Sequence, residues 1–314
     1  MKILVGNTGF VGSNLQSTYD FDGLYNSENI TEAYGKNPDL LVYSGVPAQK
    51  FLANKEPEKD FEIIENAISN IKKINPKEIV LISTIDVYKD PVDVDEDTKI
   101  DTENLQPYGY NRYYLEKWVS ENIENHLIVH LPGLYGKNIK KNFIYDLIHV
   151  IPSMLTYEKY QEFLNKDNSI ENYYVQQGNG FYKVKKLDKS EENILKEYFN
   201  NIGFSALNFT DSRGKFQFYN LKYLWKHIQI ARKNNIKVLN LATEPVEISE
   251  IYEYIKNKKF VNEVANNIPN YNFKTKYAKI FKGKDGYIFN KEFILEDIKR
   301  FVEKINNGKN EKVR

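Results

Sequence analysis

The chain predicts an α/β fold, a doubly wound parallel sheet joined to a smaller, mostly helical C-terminal region. Three observations predict it. Short apolar runs alternate with longer helical stretches through the first half, the pattern of parallel strands with helices on both faces. Glycines at 6, 9 and 12 link the first apolar run to the first helix. The second half turns polar, aromatic and fragmented, with one more buried run at Val238 to Leu241. We therefore place a sheet domain over residues 1–150 and a cap region over 151–314, with 235–245 returning a strand to the sheet; the chemistry argued below makes the first the nucleotide-binding and the second the substrate-binding part.

The elements follow in order. Lys2 to Val5 is a strand stopped by Gly6, and Phe10 to Tyr19 a helix. Gly23 to Asn26 is a weak second strand and Leu40 to Tyr43 a clear third, left by the loop Ser44–Gln49. Residues 57–73 read as a helix because Phe61, Ile64, Ala67, Ile68 and Ile71 recur at helical spacing. Ile79 to Ser83 is a buried strand, 109–123 a helix and Leu127 to Leu131 a strand. Further helices are expected near 142–150, 157–164, 190–201, 221–233, 247–257 and 290–304. The stretch 155–212, rich in Lys, Asn, Glu and Tyr, gives no readable pattern.

Bulk properties exclude several functions. With 44 basic and 43 acidic residues the net charge is +1, so no long-range field draws the chain to nucleic acid or to an anionic membrane. The absence of cysteine removes disulfides, thiolate catalysis and Cys-ligated zinc. Four histidines without HxxxH or HxxE spacing give no metal site. The opening MKILVGNTGFVG lacks a cleavage signal, and no apolar run approaches the roughly 20 residues of a spanning helix, so a cytoplasmic protein is expected.

The glycine motif carries the first chemistry. Gly6, Gly9 and Gly12 sit where a strand passes into a helix, so the backbone can approach a pyrophosphate and the N–H groups of Phe10, Val11 and Gly12 can face it. The spacing in GNTGFVGSNL resembles the extended short-chain dehydrogenase/reductase family, whose members act on nucleotide-linked sugars and share the Rossmann-type fold. That resemblance implies NAD or NADP as cofactor. At the end of the second strand an acid would hold the ribose of NAD, yet the chain reads Gly23-Leu24-Tyr25-Asn26-Ser27. Asn26 and Ser27 serve either cofactor, and Asn29-Ile30 resembles the family's Asp-Ile pair beside the adenine. Ser44 and Gly45, after the third strand, are further cofactor contacts.

The resemblance extends to catalysis. ISTIDVY, residues 82–88, is similar to the family's S-[ST]-x-x-V-Y and maps the catalytic hydroxyl to Thr84. Pro107-Tyr108-Gly109-Tyr110-Asn111-Arg112 with Glu116 resembles P-Y-G-x-S-K-x-x-x-E and maps the acid/base to Tyr108. A tyrosine has an ordinary pKa near 10, so a cation one helical turn along is needed to make it a base. The family's Lys is Arg112 here, an always-charged, planar and bulkier group expected to bond the ribose as well. Tyr113 with Lys117 is a literal Y-x-x-x-K, but Pro107, Gly109 and Glu116 fix the register on Tyr108.

His130-Leu131-Pro132-Gly133-Leu134-Tyr135-Gly136 resembles the family segment that runs past the nicotinamide, which makes Pro132 a cofactor contact. His130 itself reads best as a core histidine. Asp86 stands where the family's dehydratases carry a Glu, preceded by the apolar Ile85, so a full dehydratase set is absent and a simpler redox step is expected. Asn142 is a candidate nucleotide contact or a helix N-cap, and Arg213 a candidate phosphate contact or part of a solvated basic loop. The acidic loop 90–103 reads as a solvated lid. The expected function is NAD(P)-dependent reduction, oxidation or epimerisation of a nucleotide sugar, possible as a homodimer; the rival is a catalytically weak cofactor-binding sensor.

Overall fold

The computed structural model describes residues 1–178 and 180–311. In chain order the elements begin with β1 (Lys2–Val5), α1 (Phe10–Gln16), β2 (Gly23–Tyr25), β3 (Leu40–Tyr43), α2 (Lys50–Lys55) and α3 (Pro57–Ile74). There follow β4 (Ile79–Thr84), α4 (Pro107–Asn122), β5 (His126–Leu131), β6 (Gly133–Tyr135), α5 (Phe143–Ile148) and β7 (Met154–Leu155). Next come α6 (Tyr157–Lys166), β8 (Tyr174–Gln176), β9 (Tyr182–Val184), α7 (Lys189–Asn201), β10 (Lys215–Phe216) and β11 (Phe218–Asn220). The chain closes with α8 (Leu224–Lys233), β12 (Val238–Asn240), β13 (Val246–Glu247), α9 (Ile248–Lys256) and α10 (Lys291–Glu311).

Six strands form one parallel sheet in the order β12-β5-β4-β3-β1-β2. This is a Rossmann-type α/β fold. Side chains alternate across the sheet because successive residues of a strand face opposite ways. Leu4, Val42, Val80 and Val129 join Leu15, Trp225 and Ile228 on one face. Ile3, Leu41, Leu81 and Ile128 join Ile64, Ala67, Ile71, Leu115 and Val119 on the other. The buried positions of α3 are Asp60, Ile64, Ala67, Ile71 and Ile74, a helical stripe with a carboxylate at its head. The strand order reverses between β1 and β3. In such sheets ligands bind outside the carboxyl ends of the strands at this reversal, where here the glycine turn and the loop from Ser44 both start.

The chain divides into two compact units, and they are interleaved. The first comprises Met1–Ile139, Lys215–Glu247 and Pro269–Asp297; the second comprises Lys140–Gly214, Ile248–Ile268 and the chain from Ile298. Beside the boundary expected at residue 150 and the strand expected to return at 235–245, which β12 supplies, the chain crosses between the units at further points. Pairing explains why. β11 joins β6, β12 joins β5, and Phe273 with Ala242 completes a small core around Ile85 and Val87.

The second unit is mostly helical, built on α5, α6, α7 and α9. It holds an antiparallel sheet in the order β7-β9-β8, which the sequence reading of 155–212 missed. These strands are two or three residues long, too short for period-two alternation to show. Leu155, Tyr160, Phe163, Ile170, Leu195 and Phe199 form the core of this unit. The loop 90–103 exposes most of its acids, but its middle is not a free lid. Asp93 N donates to Asn272 O at 2.8 Å, and the Glu96 carboxylate accepts from Asn240 N, Thr275 Oγ1 and Lys276 N at 2.8, 2.6 and 2.9 Å. One carboxylate with three donors ties the loop down, against the reading from its surplus of acids.

Candidate active site

The site is built wholly from the first unit, beginning with the glycine turn. Gly6 has φ +89°, and a Cβ there would lie 2.5 Å from Ser44 O. A Cβ on Gly12 would lie 2.1 Å from Gly6 O. The chain's own packing requires both glycines. Gly9 differs. Its backbone is extended, it is exposed, and a Cβ would meet only Gly6 O at 3.2 Å, a tightness that small shifts relieve. Nothing inside the protein demands glycine there, whereas a ligand laid against the backbone would. Asn7 Oδ1, in the same turn, is buried without a hydrogen-bond partner among the described residues. A buried unpaired acceptor is uncommon enough to point to a missing donor. The turn thus fits a dinucleotide on two observations, an open glycine cradle and an orphaned acceptor.

Neighbouring candidates line the same end of the sheet. Asn29 Oδ1 accepts from Asn26 N at 2.8 Å, Asn26 Oδ1 from Glu28 N at 2.8 Å, and Asn29 Nδ2 donates to Leu24 O at 3.2 Å. The two carboxamides therefore close the turn after β2, while Ser27 is exposed and Ile30 packs against the core. Ser44 Oγ donates to Val5 O at 2.8 Å, clasping the loop after β3 to β1, and Gly45 is exposed beside it. Pro132 sits between β5 and β6, where Gly133 N donates to Gln217 O at 3.0 Å.

Thr84 and Tyr108 are brought together. Thr84 ends β4, and its Oγ1 accepts from Asp86 N at 3.2 Å, capping a 3-10 turn over Ile85–Val87. Tyr108 lies in the first turn of α4, buried, and close enough to Thr84 for that hydroxyl to favour its phenolate. Gly109 makes this approach possible, because a Cβ on it would stand 2.1 Å from Asp86 O. Tyr108 N donates to Asn54 Oδ1 at 2.9 Å, which docks α2 on the same turn. By contrast Lys117 is exposed and pairs with Glu121 at 3.8 Å, and Tyr113 packs against the core around Ile85 and Val87.

Arg112 departs from expectation. It is buried, one turn beyond Tyr108, with its guanidinium carbon 4.3 Å from the centre of the tyrosine ring. Nη1 donates to the Asp60 carboxylate, and Nη2 donates to Pro47 O at 2.7 Å. The terminal nitrogens expected to bond a ribose are thus engaged within the protein. Burial pushes the Tyr108 phenol above its ordinary value; Arg112 opposes that shift, Asp86 adds to it, and Thr84 and Lys50 oppose it.

Several residues of this site were missed in the sequence. Lys50 Nζ donates to Asp86 Oδ1 at 2.9 Å, and Tyr271 OH donates to the same oxygen at 3.2 Å. Asp60 was visible as a lone acid heading the apolar stripe of α3. Lys50 and Tyr271 carried no signal, since neither lies in a motif. Beneath the site, Ser83 Oγ donates to Glu116 Oε1, and His130 stands between Glu116 Oε2 at 3.0 Å and Asn240 Oδ1 at 2.7 Å. His130 is 1% exposed, a core histidine as its strand position suggested.

Asn142 and Arg213 belong to the second unit. Asn142 is the N-cap of α5, with Oδ1 accepting from Ile144 N at 3.0 Å and Tyr145 N at 3.3 Å. Arg213 is bound by Asp211 through Nε at 2.9 Å and Nη2 at 2.8 Å, and by Glu263 at 2.8 Å. Of its two readings, the phosphate contact gains nothing from a guanidinium so occupied by carboxylates. Among the described residues there is no cluster of metal-ligating side chains, and no helix is long and apolar enough to cross a membrane.

No family model and no curated protein matches the chain by sequence. Solved structures do match its fold. A dTDP-4-dehydrorhamnose reductase from Yersinia enterocolitica is similar at TM-score 0.63 and 14% identity, over 96% of this chain and 98% of that one. A reductase of the same name from Bacillus anthracis, in complex with NADP, gives 0.60 and 17% over 96% and 99%. A UDP-N-acetylglucosamine 4-epimerase from Methanobrevibacter ruminantium, in complex with UDP-N-acetylmuramic acid, gives 0.61 and 14% over 98% and 100%. The chain thus shares the fold of these reductases and of this epimerase.

Proposed function

We propose that the protein is an NAD(P)-dependent oxidoreductase or epimerase acting on a nucleotide-linked sugar. The observation that carries this is the meeting of Thr84 and Tyr108 at the carboxyl end of β4, on the sheet edge where the Gly9 cradle opens. The solved neighbours support the same chemical class. Gly6, Gly9, Phe10, Val11 and Gly12 would hold the pyrophosphate; Asn26, Ser27, Asn29, Ile30, Ser44, Gly45 and Pro132 would border the rest of the dinucleotide. Bound there, NAD or NADP supplies the hydride donor or acceptor.

The chain's own residues supply the proton chemistry. In the reducing direction the Tyr108 hydroxyl gives its proton to the carbonyl oxygen of the sugar, leaving a phenolate, and in the oxidising direction the phenolate takes the carbinol proton. The Thr84 hydroxyl donates to that same oxygen and fixes its position. Asp86, held by Lys50 and Tyr271, borders the reacting hydroxyls and selects among sugars. Exposed Phe51, Ile63, Tyr110 and Tyr114 on α2, α3 and α4 support pairing with a second copy, which a sedimentation measurement would reveal.

The test is a fluorescence titration of the purified protein with NADH and NADPH, followed by cofactor consumption with a panel of 4-keto nucleotide sugars. Binding followed by turnover that Tyr108→Phe abolishes is expected. Failure to bind either cofactor would remove the proposal. A second reading, a cofactor-binding protein without turnover, is favoured by one observation, the engagement of Arg112 by Asp60. Tight binding with no turnover on any substrate of the panel would select it.

A further inference from the structure

A buried charge on α3 stands behind the tyrosine. Asp60 is 7% exposed, and one of its oxygens accepts from both Arg112 Nη1 and Asn111 Nδ2, the latter at 2.9 Å. Asn111 also donates to Pro57 O at 3.2 Å, so the start of α3 and the first turns of α4 are stitched together around this carboxylate. The Arg112 guanidinium therefore has the tyrosine ring at 4.3 Å and a carboxylate in contact with one terminal nitrogen. A planar fork needs such a matching acceptor when buried, since an unpaired buried cation is costly.

We propose that Asp60 is a positioning residue for Tyr108: it holds the Arg112 guanidinium over the ring and offsets the charge that the phenol feels. The proposal rests on the reading of Tyr108 as the acid/base. Arg112 alone would favour the phenolate strongly. With Asp60 in contact, the pair presents a partly cancelled field, and the phenol keeps its proton for donation to a carbonyl. The other charges facing Tyr108 are Asp86, on the turn after β4, and Lys50, on α2. Tyr271 stands behind both, against Asp86 and Lys50. Lys50 and Asp86 are themselves paired and lie nearer solvent, with 48% and 21% of their side chains exposed, so they respond to what binds. Asp60 and Arg112, at 8% and 5%, are fixed.

The sign of the effect separates this role from a purely structural one. Asp60→Asn keeps the shape and removes the negative charge, so the phenolate becomes easier to form. The Tyr108 titration should move down by about one unit, the size expected for a unit charge within several ångströms of a buried group. Arg112→Gln should move it up. A structural role predicts lower stability with no directed shift.

The readout is fluorine NMR of the full chain carrying difluorotyrosine at position 108 alone, whose more acidic phenol titrates before alkaline unfolding. It needs neither cofactor nor turnover. The midpoint is expected to fall in Asp60→Asn and to rise in Lys50→Met, with the pH–rate profile for sugar reduction moving the same way. Should Asp60→Asn fail to fold, the comparison is made between Arg112→Gln and Asp60→Asn/Arg112→Gln, which leaves no unpaired buried charge; the double variant should titrate lower. Equal midpoints with and without Asp60 overturn the proposal. A directed shift in a protein that turns over no nucleotide sugar would uphold the Asp60 coupling and remove the enzymatic reading.

Discussion

Gly109→Ala is a demanding test of the site, because the added atom is small and its consequence is computable. A Cβ at 109 would stand 2.1 Å from Asp86 O, and carbon–oxygen contacts under 3.0 Å are essentially never seen. Either α4 retreats by about an ångström or the Ile85–Val87 turn is pushed away, carrying Asp86 and the hydrogen bond it makes to Thr84. Both responses separate Thr84 from Tyr108. Misplacement by about 1 Å costs on the order of a hundredfold in rate, about 2.7 kcal/mol of transition-state stabilisation. Stability should change less. Overpacking costs about 1–3 kcal/mol, while replacing glycine by alanine within a helix returns about 0.5–1 kcal/mol. The assay pairs urea denaturation with kcat for reduction of one nucleotide sugar, and a rate loss exceeding the stability loss is expected. A variant that keeps activity within threefold and loses no stability would show that α4 does not pack on that turn as described.

Three further outcomes are expected. Tyr108→Phe should cost about a hundred- to ten-thousand-fold in turnover, and Tyr113→Phe little; the reverse ranking would move the register by five residues. Gly9→Asp should abolish NAD(P)H binding by fluorescence through bulk and charge, and unchanged titration would displace the pyrophosphate from the glycine turn. For His130, burial alone would lower the pKa, but contact with Glu116 and Asn240 raises it above 6.5. Its stabilising contribution is therefore fully present below pH 6.5 and lost as pH rises through the folded pKa. His227 acts oppositely, since burial holds it down at about 4. The difference in urea midpoint between wild type and His130→Gln isolates the first effect; it should shrink as pH rises above 6.5, and a constant difference would deny that His130 is charged.

The parts of the fold that were legible are those whose burial is periodic. β1, β3, β4 and β5 are apolar on both faces, so each reads as a short unbroken run, and α3 carries its stripe from Ile64 to Ile71. The glycines were legible for a related reason. Gly6 and Gly12 are fixed by contacts of 2.5 and 2.1 Å with the chain itself, so their spacing belongs to the strand–turn–helix unit. The three-stranded sheet of the second unit was not legible. Met154 and Leu155, or Tyr182 to Val184, are too few to establish a period, and their pairing is between distant segments. The tie at Glu96 was hidden likewise, because one bonded, half-buried acid among many exposed ones has no mark in sequence.

At the candidate site the same division holds, and it explains how Arg112 misled. Reading a motif assigns a role to each position separately, so Arg at the place of Lys reads as a like-charged substitute. In the folded chain its behaviour is set by Asp60, 52 residues earlier, and by the carbonyl of Pro47, 65 residues earlier. A lysine ammonium is a point charge on a flexible stem that can turn toward a ligand, whereas a guanidinium clamped by a carboxylate and a carbonyl cannot. The substitution and its buried partner are one feature spread over two helices and a loop. The missing half was present in the sequence as an acid where α3 should be apolar, and helical phase puts it there: Asp60 is four residues before Ile64 and eleven before Ile71, on the stripe that faces the sheet. A charge in that place has to be answered by another buried charge, and Arg112 is the basic residue of α4 whose own phase, four residues past Tyr108 and four before Glu116, turns it inward with both.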